Sequence, residues 1–115
     1  MSFQVDVASV DAWNAEIINT PGLLQVVELY QSWSGPCKAI QSTFKRLYFD
    51  FSDRPLKFYT VAVDKCPGVG LDDYKGKCEP VFMFYRDGQC LETVVGMQAP
   101  PLTRLVTDLS APPAA

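Results

Sequence analysis

The sequence contains no histidine. That absence removes the commonest general base and excludes Ser–His and Cys–His nucleophile pairs. It also removes the commonest nitrogen ligand of zinc. Cysteine is sparse, with four residues at positions 37, 66, 78 and 90, and no two stand at the short spacing of a metal knuckle. No structural metal and no cofactor is therefore expected; a site gathering all four cysteines only in three dimensions is the one arrangement left open. Long apolar runs are missing too. Nothing approaches the roughly 20 apolar residues of a membrane span, so no membrane partner is expected. No basic run stands out in a chain of net charge −3. A nucleic-acid binder needs a positive stripe to neutralise phosphates, so that class is set aside. Met1 to Val10 lacks the basic start and apolar stretch of a signal peptide. A cytoplasmic setting is expected, with the cysteines as thiols rather than a disulfide framework.

What is present is enough for one domain with one core: 115 residues, 48% of them apolar and 20% charged. The expected division is a domain over residues 1–110 and a frayed tail over 111–115. Val10 to Asn19 places Val10, Trp13, Ile17 and Ile18 on one helical face, and Pro21-Gly22 ends it. Leu23 to Tyr30 is nearly continuous in apolar residues, broken by Gln25 and Glu28. That pattern predicts a central strand buried on both faces. After the small turn Ser32 to Pro36, a helix is expected from Cys37 to Phe51. Its buried face is Ile40, Phe44, Leu47, Tyr48 and Phe51. Pro36 suits its first turn, where no backbone N–H is needed.

Leu56 to Val63 is rich in β-branched and aromatic residues and predicts a second strand. Cys66 to Gly70 reads as loop and Leu71 to Tyr74 as a short helix. Val81 to Tyr85 is a third strand, with Pro80 at its first edge. Asp87-Gly88 predicts a hairpin turn and Leu91 to Val95 the returning strand. Leu102 to Leu109 makes a last amphipathic helix, and Phe3 to Val7 is a candidate edge strand. Alternation followed by a hairpin implies an α/β fold, with a central mixed sheet flanked by helices on both faces.

The chemistry concentrates in Trp33-Ser34-Gly35-Pro36-Cys37, between a buried strand and a helix N-terminus. The first turn of a helix presents unpaired N–H groups and the positive end of the macrodipole. Both favour a thiolate, so a cysteine at position 37 tends towards a lowered pKa.

This segment resembles the active site of the thioredoxin family, in which Trp-Cys-Gly-Pro-Cys-Lys follows the central strand. The resemblance runs from about Val10 to Leu109. It implies a thioredoxin-like fold, a proton-transfer role for the buried acid Glu28, and a cis-proline at Pro80 facing the turn. It aligns Gly88 and Gly96 with the family's hairpin and post-strand glycines. The implied binding groove is Trp33, Gly35, Pro36, Glu79, Pro80 and Gly96. The family's two cysteines attack and then resolve a substrate disulfide. Here the attacking position is Ser34, which cannot supply the thiolate that exchange needs, and Cys37 occupies the resolving position. Dithiol reduction is therefore expected to be absent, leaving at most a monothiol redox role through Cys37. With no nucleophile, Glu28 reads as a satisfied buried acid. Ser34 is either natural or an engineered replacement; Glu28 in place of the more usual aspartate, and Ser32, favour the natural reading. Cys66 and Cys90 read as packing or surface thiols. An approach of Cys78 to Cys37 stays open.

The run Gly76-Lys77-Cys78-Glu79-Pro80, followed by Phe82-Met83-Phe84-Tyr85, is more specific. It resembles the thioredoxin-type light chains of axonemal outer-arm dynein, and thioredoxin domains fused to nucleoside diphosphate kinase modules. No kinase module fits in this length, so the light chains are the better match. The resemblance implies an interaction subunit in the axoneme of a cilium or flagellum. Its partners would be dynein heavy or intermediate chains, with another thioredoxin-type light chain a further candidate. The alternative is a protein disulfide oxidoreductase whose attacking cysteine has been replaced.

Overall fold

The computed structural model describes residues 4–33, 35, 38–74, 79–96 and 98–110. The first strand, β1, is Gln4–Val7. Helix α1, Val10–Trp13, begins at Ser9, whose hydroxyl accepts the Ala12 N–H at 3.1 Å; such a cap satisfies one of the helix's orphan donors. It continues as a π-helical stretch, Asn14–Ile18. The Glu16 carbonyl there is taken from the sheet, by Gln25 Nε2 at 2.8 Å and the Tyr59 hydroxyl at 3.4 Å. The wider π turn shifts the helical register. Ile17 is fully buried, whereas Ile18, expected on the buried face, is 36% exposed.

Strand β2 is Leu24–Tyr30, buried almost throughout, including Gln25 and Glu28. Helix α2, Lys38–Asp50, buries Ile40, Phe44 and Leu47. Tyr48, expected beside them, lies at the margin, its ring edge-on to that of Phe58 at 6.4 Å between centroids. Strand β3 is Leu56–Ala62, and single 3₁₀ turns follow at Val63–Lys65 and Asp72–Tyr74. Leu71, placed in the short helix from sequence, instead precedes the second turn and is buried. Strands β4, Val81–Arg86, and β5, Gln89–Val95, form the hairpin. Its turn needs two positive φ angles, which Asp87 at 52° and Gly88 at 80° supply. Helix α3, Ala99–Ser110, carries Pro100 and Pro101 in its first turn, where proline is tolerated. The expected tail, residues 111–115, lies outside the described residues.

The sheet order is β1-β3-β2-β4-β5, with β1, β3 and β2 parallel and β4 and β5 antiparallel. The aromatic set Phe44, Phe58, Phe82 and Phe84 forms the core under α2 and α3. Trp13, Ile17, Tyr59 and Val61 build the core on the other face. Two arginines secure the end of α3. Arg54 Nη1 donates to the Thr107 carbonyl at 2.9 Å and the Ser110 hydroxyl at 3.1 Å. Arg86 donates to the Leu109 carbonyl. Cations at a helix C-terminus satisfy its free carbonyls and oppose its dipole.

Candidate functional site

Three segments converge at one end of the sheet because of register. Leu29 of β2 pairs with Val81 of β4, and Val81 pairs with Val95 of β5. The turn after β2, the approach to β4 and the exit from β5 therefore emerge together, at the carboxyl ends of the parallel strands. Ligands of open α/β sheets bind at such ends.

On the turn, Trp33 is 69% exposed. Gly35 adopts φ +73°, and its N–H donates to the Gln31 carbonyl at 3.0 Å. Gln31 itself is buried, and its amide reaches the Tyr74 carbonyl at 2.8 Å, tying the turn to the second 3₁₀ segment. Ser34, Pro36 and Cys37 lie outside the described residues, as does Cys78, so an approach of Cys78 to Cys37 also lies outside them.

Glu79, Pro80 and Gly96 are brought together. The Gly96 N–H donates to the Pro80 carbonyl at 2.7 Å. Gly96 has φ +91°, and a side chain on it would come within 3.5 Å of the Glu79 carboxylate. No cis peptide bond occurs among the described residues, which include both Glu79 and Pro80, so the expected cis-proline is corrected to trans. Trans is the lower-energy isomer of an X–Pro bond by about 0.5–1 kcal/mol.

Glu28 lies in the middle of β2 between Thr60 and Phe82 and is fully buried. The Gln4 amide from β1 donates to its Oε1 at 3.4 Å. A buried carboxylate needs such donors to offset lost hydration.

Sequence reasoning missed a polar cluster beside the turn. The Ser32 N–H donates to Asp64 Oδ1 at 2.9 Å, and its hydroxyl donates to Oδ2 of the same carboxylate. These bonds hold the Asp64 carboxyl below its ordinary range. Asp6 Oδ1 accepts from the Tyr30 hydroxyl at 2.7 Å and the Thr60 hydroxyl at 2.8 Å. Burial, then the Asp6 bond, pushes the Tyr30 phenol up. Burial and these two aspartates likewise push the Cys66 thiol up, which makes it a poor nucleophile. Cys66 is buried and free, and Cys90 is exposed and free. No group of three metal-ligating side chains occurs among the described residues. No helix there is long and apolar enough to cross a membrane. Asp64 has no local signal in the sequence, because it meets Ser32 only through strand pairing.

The thioredoxin family model matches residues 4–110. The 14 kDa light chain of the flagellar outer arm dynein of Chlamydomonas reinhardtii is 52% identical over 118 aligned positions, covering 100% of this chain and 90% of that protein. The 16 kDa light chain of the same outer arm is 38% identical over 76% of this chain, which spans 57% of that protein. Among solved structures, the germline-specific thioredoxin Deadhead of Drosophila melanogaster superposes with a TM-score of 0.73 at 27% identity, covering 92% of this chain and 99% of that one.

Proposed function

The chain belongs to the thioredoxin family, and we propose that it serves as a light-chain subunit of a flagellar or ciliary outer dynein arm, acting by binding rather than turnover. One observation carries this reading. A flagellar outer-arm light chain is 52% identical along the whole chain and close to it in length. The serine at position 34 is consistent with it, since a domain held in an assembly needs no attacking thiol.

The groove proposed for docking is the exposed Trp33 with Gly35, Pro36, Glu79, Pro80 and Gly96. Trp33 offers an aromatic anchor of the kind that dominates interfaces, and backbone groups beside Pro80 can pair with an extended segment. Dynein heavy or intermediate chains, or a second thioredoxin-type light chain, are the partners in this reading. The places of action in this reading are the cytoplasm and the axoneme. The alternative, a disulfide oxidoreductase, is the weaker one: Ser34 removes its nucleophile, and Cys37 alone supports at most monothiol chemistry.

The test is the native size of the protein in a gentle extract of its source cells, followed by antibody on a density gradient. Sedimentation with a particle many times the mass of the chain is expected. Sedimentation as a small free protein would overturn the reading and return attention to thiol chemistry.

A further inference from the structure

Helices α2 and α3 leave an open cleft of about 650 Å³ between them, which shares no residue with the groove around Trp33. The sequence shows how it arises. Thr43, Leu47 and Asp50 lie along one stripe of α2, with Phe51 just past its end, and Pro100, Thr103 and Thr107 along one stripe of α3. Steps of three and four keep each set on a single helix face. Leu47, Phe51 and Pro100 supply the apolar surface. The charges are Arg46 and Arg104 against Asp50.

The cleft thus carries a net positive charge in a chain whose total is −3. The Arg46 side chain is 84% exposed and meets Asp50 at 3.6 Å. That pair has the less favourable i,i+4 order, the base preceding the acid, and exposed pairs of this kind are weak. No carboxylate among the described residues forms an ion pair with Arg104.

We propose that this cleft docks an acidic amphipathic helix of a dynein chain, a second attachment separate from the Trp33 groove. The inference deepens the light-chain reading and rests on it. Both walls are helices, whose backbone N–H and C=O groups are already used internally. A strand would find nothing to pair with, so only side-chain contacts remain. A third helix satisfies its own backbone and can set an apolar ridge into a groove between two others. The two guanidinium groups then select carboxylates flanking that ridge.

The experiment adds the full chain to outer-arm dynein released from axonemes. Thr103 is replaced by p-benzoylphenylalanine, a photo-cross-linker, and retention is compared with Arg46→Glu/Arg104→Glu and Asp50→Lys variants. Position 103 is expected to cross-link to an acidic, helical dynein segment. The double reversal should weaken retention by about tenfold, as charge reversal at a complementary surface does, and Asp50→Lys should hold at least as tightly. The arginines are exposed, and a melting curve checks that the variants fold. If the double variant does not fold, the cross-link decides alone. If the wild-type chain co-sediments but position 103 captures nothing, or captures a basic or extended segment, the cleft proposal falls and the light-chain reading stands. Undiminished retention of a folded double variant has the same meaning. If the wild-type chain does not co-sediment at all, both fall.

Discussion

A single atom separates this turn from a dithiol site, the oxygen of Ser34 where a sulfur would attack. Ser34→Cys recreates Trp-Cys-Gly-Pro-Cys. In an insulin-reduction assay the chain with Ser34 is expected to stay at the uncatalysed rate and the variant to rise above it. The Ser32–Asp64 clasp predicts a pH effect of definite sign. The folded-state pKa of Asp64 is lowered, so the contribution is complete above the ordinary aspartate range, about pH 4. It fades as pH falls through the lower folded value. Urea midpoints for the unsubstituted chain and Ser32→Ala should differ at neutral pH and converge in acid. A gap that widens in acid would contradict the assignment. At this scale the sequence was only partly legible. Glu28 announced itself as an acid in an apolar run, but its donor Gln4 did not. The two meet only because β1 joins the sheet's far side, which no local pattern encodes.

Among the elements, periodicity placed every strand to within two residues and every long helix to within three. It erred where tertiary contacts override local spacing. The π-helical stretch is one case. Two side chains from the sheet, Gln25 and Tyr59, claim the Glu16 carbonyl, and α-spacing no longer tells which isoleucine is buried. The trans bond before Pro80 corrects an expectation drawn from resemblance rather than from spacing, because isomer choice depends on packing absent from the sequence. The end of α3 gives the prediction at this scale. Arg54 caps it and also lies 4.2 Å from the centroid of the Phe51 ring. Arg54→Ala is expected to cost about 1–2 kcal/mol in urea unfolding, by losing charge-assisted bonds to the helix end. Hydrogen exchange should quicken first in the last turn of α3.

Across the whole molecule, two cysteines report opposite things. Cys90 is exposed on the outer strand, whereas Cys66 is buried within the core. Under native conditions iodoacetamide should label Cys90 promptly and Cys66 only as fast as the core opens. Adding denaturant should bring the Cys66 rate up in step with global unfolding. Early labelling of Cys66 would mean that its side of the sheet opens by itself. Fold class was legible at this scale, because alternation and one hairpin signal leave few ways to build a sheet. The grouping of Glu79, Pro80 and Gly96 was legible only through resemblance, since their proximity comes from the pairing of β4 with β5.

The sheet order sets a timetable for synthesis. Strand β1 is made before the other strands of the sheet, yet Gln4 and Val7 align with Phe58 and Val61. That strand must wait, unpaired, until β3 has been made. Loop closure of that span is repaid only when β3 arrives. The first strand of the sheet to be made is therefore among the last to be locked, and the Gln4 amide reaches Glu28 only then. A nascent chain halted before β3 would keep that carboxylate in water, so completion of the buried pair marks a chain whose third strand has been made.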